Sequence, residues 1–343
     1  MTGTPWHPAD TAEFLLVPGA TSHKYSRGVL GVRTGSSAYP GAAVLSVEAA
    51  WRSGIGMVSF VSPLDDAPPK FGLPSPAAAI LALRPETVFA ADTAHQRARC
   101  DAWLVGCGTD PAQRSTAERE ALLELLSGTT PVVVDAGALD LVVREQATAP
   151  TIVTPHLGEF QSLWRLAGLR DLQWKTTGGS HAQDAAERAR AASKLAATLG
   201  VTVLLKGSRT VVAAPTGMVF VCEPATSWLA TAGTGDVLAG VLGALVAIHA
   251  DAAHSDAGML ARLGAAAVTL HDTAARIAST RPDGCPAADR PAGTPAPPTD
   301  SNQAPAGAAE ALIGTATTPI TALDVAACLP AAHRHLRLLR KSA

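Results

Sequence analysis

Cysteine is sparse and never closely paired: Cys100, Cys107, Cys222, Cys285 and Cys328 are odd in number, and none stands in Cys-x-x-Cys spacing. That argues against a disulfide framework and a thiolate zinc site, and makes a reducing cytoplasm the expected location. Aromatic residues make up 4% of the chain, too few for the stacking platforms that hold single-stranded nucleic acid. Positive charge is not in excess either: Lys+Arg 27 against Asp+Glu 29 leaves a net charge of −2, where a nucleic-acid binder shows a basic face. The longest uncharged apolar stretch, residues 237–250, is interrupted by Gly240, Gly243 and His249. It falls short of the ~20 residues a spanning helix needs and reads as a buried core helix. The first ten residues carry no basic region followed by an apolar one, so no secretory leader is expected. Nucleic acid and membrane are therefore not expected as partners.

What is present is apolar bulk. At 343 residues, 47% hydrophobic and 16% charged, the chain can bury a large core. Short β-branched runs at 55–61, 102–105, 131–134, 151–153 and 201–205 alternate with helical spacing at 40–53, 115–126, 158–166 and 184–199. Such alternation predicts a mostly parallel sheet covered on both faces. Ser115 with Glu118 three residues later predicts a capping box, and Gly54 and Gly200 are helix stops. Residues 209–214 and 218–222, either side of Pro215-Thr216-Gly217, predict an antiparallel edge hairpin. Long apolar helices follow at 235–250 and 258–279. Residues 281–318, rich in Pro, Ala, Gly and Thr, are expected to form a mobile loop. Residues 320–340 regain helical spacing and end in His333, Arg334, His335, Arg337 and Arg340, a basic last turn that complements the helix dipole. The whole, residues 1–343, reads as one domain.

Five turns carry residues suited to chemistry, four of them at strand ends. Thr231-Ala232-Gly233-Thr234-Gly235-Asp236 leads a small-residue turn into an apolar helix. Backbone N–H groups converging at a helix N-terminus make a pocket for a phosphoryl group, and Asp236 can take a proton from an attacking hydroxyl beside it. Lys206-Gly207-Ser208-Arg209-Thr210 follows a strand directly, where open α/β sheets bind ligands. His156, in Thr154-Pro155-His156-Leu157-Gly158-Glu159, is placed at a strand end to hydrogen-bond a polar substrate. Asp135 after Val132-Val133-Val134 either holds a cation, or orients a phosphate through one, or caps the following helix, and Gly106-Cys107-Gly108-Thr109-Asp110 is a turn that a ligand can approach closely.

With His23-Lys24, Tyr39-Pro40-Gly41-Ala42-Ala43, Arg52-Ser53-Gly54, Asp135-Ala136 and Leu205-Lys206-Gly207 added in order, the set resembles the ADP-dependent NAD(P)H-hydrate dehydratases. These are a branch of the ribokinase-like fold, and the match runs from about His23 to Arg276. The resemblance implies a three-layer α/β/α sandwich that dehydrates NADHX and NADPHX back to NADH and NADPH, with ADP as co-substrate and AMP and phosphate released. It implies catalysis by Asp236 with the Gly233–Gly235 turn. Hydrate would be bound by Ala42, Gly108, His156 and Asp236, and nucleotide by Lys206, Gly207, Ser208, Arg209, Thr210 and Gly235. It further implies Mg2+ near the phosphates, a homo-tetramer, and an epimerase on a separate polypeptide. The chain departs from the family pattern at Tyr25, Cys107, Gly137 and Leu157. Two other readings share the same residues: a ribokinase-like kinase of a thiamin-precursor alcohol, and a nucleotide-binding protein without catalysis.

Overall fold

A computed structural model describes residues 3–64, 72–144, 147–170, 181–280 and 317–339. The loop expected at 281–318 lies, up to residue 316, outside the described residues. In chain order the strands are β1 (Thr4–Trp6), β2 (Val29–Arg33), β3 (Met57–Phe60), β4 (Val88–Phe89), β5 (Ala102–Val105), β6 (Val132–Val134), β7 (Thr151–Val153), β8 (Thr202–Leu205), β9 (Val211–Ala213) and β10 (Val219–Cys222). They form one sheet ordered β1-β10-β9-β8-β7-β6-β5-β2-β3-β4. From β8 to β4 every pairing is parallel. Among the described strands only β9 runs against the rest, between β8 and β10. The hairpin predicted at 209–222 is thus present next to the sheet's edge, with the three-residue β1 laid parallel outside it.

The apolar runs form strands because both pleat faces are covered. Ala102, Leu104, Val133, Ile152 and Leu204 point into one core; Trp103, Val105, Val132, Val134, Val153, Val203 and Leu205 point into the other. No position on these strands needs to be polar, so alternation disappears from the sequence.

The helices are α1 (Pro8–Thr11), α2 (Pro40–Arg52), α3 (Pro76–Leu83), α4 (Ala94–Arg97), α5 (Thr116–Leu126), α6 (Leu141–Arg144), α7 (Leu157–Leu166), α8 (His181–Leu199), α9 (Thr234–Ile248), α10 (Ala250–Ser255), α11 (Met259–Thr280) and α12 (Ala322–Leu338). Helices α2, α9, α11 and α12 pack Val47, Leu242, Leu263 and Leu329 into the first core. On the opposite face α5, α7 and α8 pack Leu122, Phe160 and Leu195 into the second. Every residue of α9 from Val237 to Ala247 is buried, as a helix apolar all round must be. No helix among the described residues is long and apolar enough to cross a membrane.

The capping box expected at Ser115 is only half made. Ser115 accepts from the Glu118 N–H at 3.1 Å, but the Glu118 carboxylate accepts from Arg33 at 2.9 and 2.5 Å and from the Leu64 N–H at 2.7 Å. Arg33, 1% exposed at the end of β2, also pairs with Asp92 at 2.8 Å. A buried guanidinium left without carboxylates costs far more than a helix-end amide facing water, so the carboxylate goes to the arginine.

Candidate active site

Because β2 and β5 to β8 run parallel, their C-terminal ends lie on one edge of the sheet, where Cys107, Asp135, Thr154 and Lys206 follow strands β5, β6, β7 and β8 in turn. Asp135 is the hub. Its Oδ1 accepts from Lys206 Nζ at 2.8 Å and from Thr154 Oγ1 at 2.6 Å, and Cys107 Sγ donates toward its Oδ2 at 3.6 Å. Although Asp135 precedes a short 3-10 turn, its side chain makes no cap hydrogen bond. The capping alternative is therefore set aside: the carboxylate neutralises Lys206. Ala136, next in the chain, has φ +45°, and is the one non-glycine with positive φ among the described residues. Backbone strain of roughly 1 kcal/mol thus sits beside the charge pair.

Helix α9 brings the acid. Gly233 is its N-cap in the left-handed region, φ +86°, which glycine enters without steric cost. The Thr234 hydroxyl lies 2.8 Å from both the Leu229 and Thr231 carbonyls, pinning the turn. Asp236, in the first turn, has a carboxylate oxygen within 4.8 Å of those of Asp135 and the Cys107 sulfur. Burial, then the Asp135 charge, push the Asp236 carboxyl up to about 7, with Lys206 opposing them. Burial pulls the Lys206 ammonium down, but the attraction and hydrogen bond of Asp135 outweigh it and leave the lysine above its ordinary value.

Beside this cluster lies a cavity of about 420 Å3, whose wall includes Lys206, Gly207, Ser208, Thr210 and Gly235. Five of the six residues expected at a nucleotide are thus brought together; Arg209 is not in the wall. The remaining wall comes from 225–227, Leu229, Ala230, Thr234, Leu238 and, on α11, Val268, His271 and Asp272. Arg188 of α8 supports the loop from below, donating from Nη2 to the Lys206 carbonyl at 2.9 Å. The sequence shows none of these supports, because Arg188 and His271 read as ordinary positions on amphipathic helices.

On the other side of Asp135, Ala42 and Gly108 are in contact. Gly108 has φ +65°, and a Cβ there would come within 2.4 Å of the Ala42 Cβ. His156 stands apart from that pair and lines a second cavity of about 330 Å3 with Pro111, Ala136 and Asp140. It is the N-cap of α7: Nδ1 accepts from the Gly158 and Glu159 N–H groups at 3.0 and 3.3 Å, while Glu159 returns to the His156 N–H at 2.8 Å. An Nδ1 that accepts leaves the ring proton on Nε2, so the imidazole can only donate to a neighbour there. The sequence carries a signal for this cap, Glu159 three residues on.

The model of the NAD(P)H-hydrate dehydratase family matches residues 30–284. The bifunctional NAD(P)H-hydrate repair enzyme of Mycobacterium leprae is 41% identical over 254 residues, covering 72% of this chain and 46% of that protein. The chain therefore spans less than half the length of this relative. The ADP-dependent (S)-NAD(P)H-hydrate dehydratase of Neisseria meningitidis is 34% identical over 234 residues, 66% of this chain and 71% of that one. Among solved structures, the ADP/ATP-dependent NAD(P)H-hydrate dehydratase of Bacillus subtilis, co-crystallized with ATP/Mg2+, superposes with a TM-score of 0.66 at 26% identity, covering 98% of this chain and 99% of the other. The three-layer sandwich is accordingly ribokinase-like. By its matched length, its relatives and the turn that leads into α9, the chain belongs to the NAD(P)H-hydrate dehydratase family.

Proposed function

We propose that the chain is an ADP-dependent dehydratase that returns NADHX and NADPHX to NADH and NADPH with release of AMP and phosphate. The observation that carries this reading is Asp236: a carboxyl pushed up to about 7, in the first turn of α9 beside the cavity walled by Lys206, Gly207 and Ser208. A base poised near neutral pH is matched to removing a proton from a hydroxyl. In this reading Asp236 takes the proton of the C6 hydroxyl as that oxygen bonds to the β-phosphorus of ADP and the bond to AMP breaks. The Gly235 and Asp236 amides, which have no partner within the helix, steady the charge on the transferring group. The ring nitrogen lone pair then expels phosphate, and loss of the C5 proton restores the dihydropyridine.

Lys206 to Thr210 and Gly235 hold the nucleotide, and Ala42, Gly108 and the His156 Nε2–H face the hydrate. Arg209 would act from outside the cavity wall, on the exposed end of the nucleotide. Of the three groups that lie within 4.8 Å of one another, Cys107, Asp135 and Asp236, Asp135 is the oxygen donor that would hold a hard Mg2+ together with phosphate oxygens, which leaves Asp236 free as the base and the Cys107 thiol outside the coordination. Bound there, Mg2+ would supply charge neutralisation to the phosphates. A cytoplasmic location, a homo-tetramer and an epimerase acting on the same hydrate belong to the same proposal.

The test is to mix chemically hydrated NADH with ADP or ATP and follow the absorbance of the reduced nicotinamide. A rise with ADP is expected. Asp236→Asn should lower turnover by ~10²-fold or more while ADP still binds. No rise with either nucleotide, together with ATP consumption by an alcohol, would favour the kinase reading.

A further inference from the structure

The cavity beside Lys206 contains one side-chain atom whose hydrogen bond the protein does not supply. His271 of α11 is 5% exposed and lies in the cavity wall. Its Nε2 is buried with no hydrogen-bond partner, the only such atom in this wall among the described residues. Its neighbour is fully engaged by contrast: Asp272 Oδ1 accepts from the Thr226 N–H at 2.7 Å and Oδ2 from Arg276 Nε at 2.7 Å. With Arg276 Nη2 donating to the Pro224 carbonyl at 2.7 Å, those bonds tie the 224–226 segment to α11 and leave Asp272 little to offer a ligand.

The ring's protonation follows from its surroundings. Burial drives the imidazole down to about 4, so it is neutral at physiological pH. A hydrogen bond to the Thr234 backbone works the other way, favouring the protonated ring, as a bond donated by the ring to a carbonyl does. Because Nε2 has no partner, we assign the donated bond to Nδ1, which leaves the lone pair on Nε2. A buried acceptor left without a donor is costly, and a ligand that brings a donor to it recovers that cost.

We propose that His271 is a specificity-determining residue of the nucleotide site: its Nε2 accepts a hydrogen bond from a donor on the bound nucleoside diphosphate, either the exocyclic amine of the base or a ribose hydroxyl. The inference rests on the reading of this cavity as the nucleotide site. A site built around a lone pair rejects an analogue that presents no donor there, because the acceptor then stays unpaired.

The experiment measures binding of ADP, inosine 5′-diphosphate, 2′-deoxy-ADP and 3′-deoxy-ADP to the wild-type protein and to His271→Phe and His271→Gln. The inosine compound replaces the amine with a carbonyl; each deoxy compound removes one hydroxyl. Wild type should bind one of the three analogues ~10-fold or more weaker than ADP. His271→Phe should abolish that one preference and leave the other ratios unchanged, and His271→Gln, which restores an acceptor, should recover part of it. The analogue that loses identifies the donor. Equal weakening of all four ligands by His271→Phe would overturn the proposal, as would a wild type that does not discriminate. Should His271→Phe fail to fold, the 15N resonance of His271 Nε2 in the wild-type protein decides. It should move upfield, toward the hydrogen-bonded position, when ADP is added, and a resonance that stays in place while ADP binds overturns the inference. Absence of any ADP binding would remove the nucleotide reading itself, and this inference with it.

Discussion

Asp236 carries two opposed consequences of one shifted ionisation. As the proposed base it would act in its charged form, so kcat/KM for the hydrate should fall ~10-fold per pH unit below about 7 and level off above it. For stability the sign is reversed. The folded carboxyl is raised from its ordinary 3.8 to about 7, so between those values the unfolded chain has released a proton that the folded one keeps. Rising pH across that window removes stability, and above about 7 the loss is complete and constant. Asp236→Asn should therefore melt higher than wild type by a margin that grows from about pH 4 to about pH 7 and is flat beyond it, as thermal unfolding in buffers across that range will read. The identity of this residue was legible from the motif alone. Its raised ionisation was not, because the burial and the Asp135 charge that cause it come from residues about a hundred positions upstream.

The N-terminus of α9 shows how much an element depends on its first turn. A Cβ at Gly233 would meet Leu45 Cδ1 at 2.6 Å, and the backbone there is left-handed. Leu45 can turn aside, but the φ angle cannot be relieved, so Gly233→Ala should cost ~1–2 kcal/mol in chemical denaturation and lower activity by shifting the amides and Asp236. Helices α2, α5, α7 and α9 lie within one or two residues of their sequence expectations, because their apolar spacing marks their extent and, for α5, Ser115 marks the start. Strand β2, in contrast, which lies between β5 and β3, is not legible in the sequence. Gly31 breaks its apolar run, and only the fold supplies the reason: the Trp103 ring lies against that glycine, 2.6 Å from where a Cβ would be. The run also ends on Arg33, a charge whose burial depends on Glu118 and Asp92, distant in sequence.

At the scale of the whole molecule the sheet divides two cores. Leu195 is fully buried in the one that lies away from α2 and α9. Leu195→Ala should cost ~2–5 kcal/mol of unfolding free energy, yet leave kcat/KM unchanged when assayed well below the melting temperature. A large loss of activity from it would mean that the two layers are coupled. The α/β class was legible because strands covered on both faces read as unbroken apolar runs, whereas β1 was not: three residues give no periodicity, and only pairing with β10 makes them a strand. The reversal of β9 has an effect on the working edge of the sheet. A β–α–β unit delivers one connection to that edge and returns underneath, but a strand that turns back and is itself turned back delivers two. The segments after β8 and after β10 therefore emerge side by side, tied by the Ala225 N–H to the Ser208 carbonyl at 2.8 Å, and together they wall a cavity that a single crossover would have left open to water on one flank.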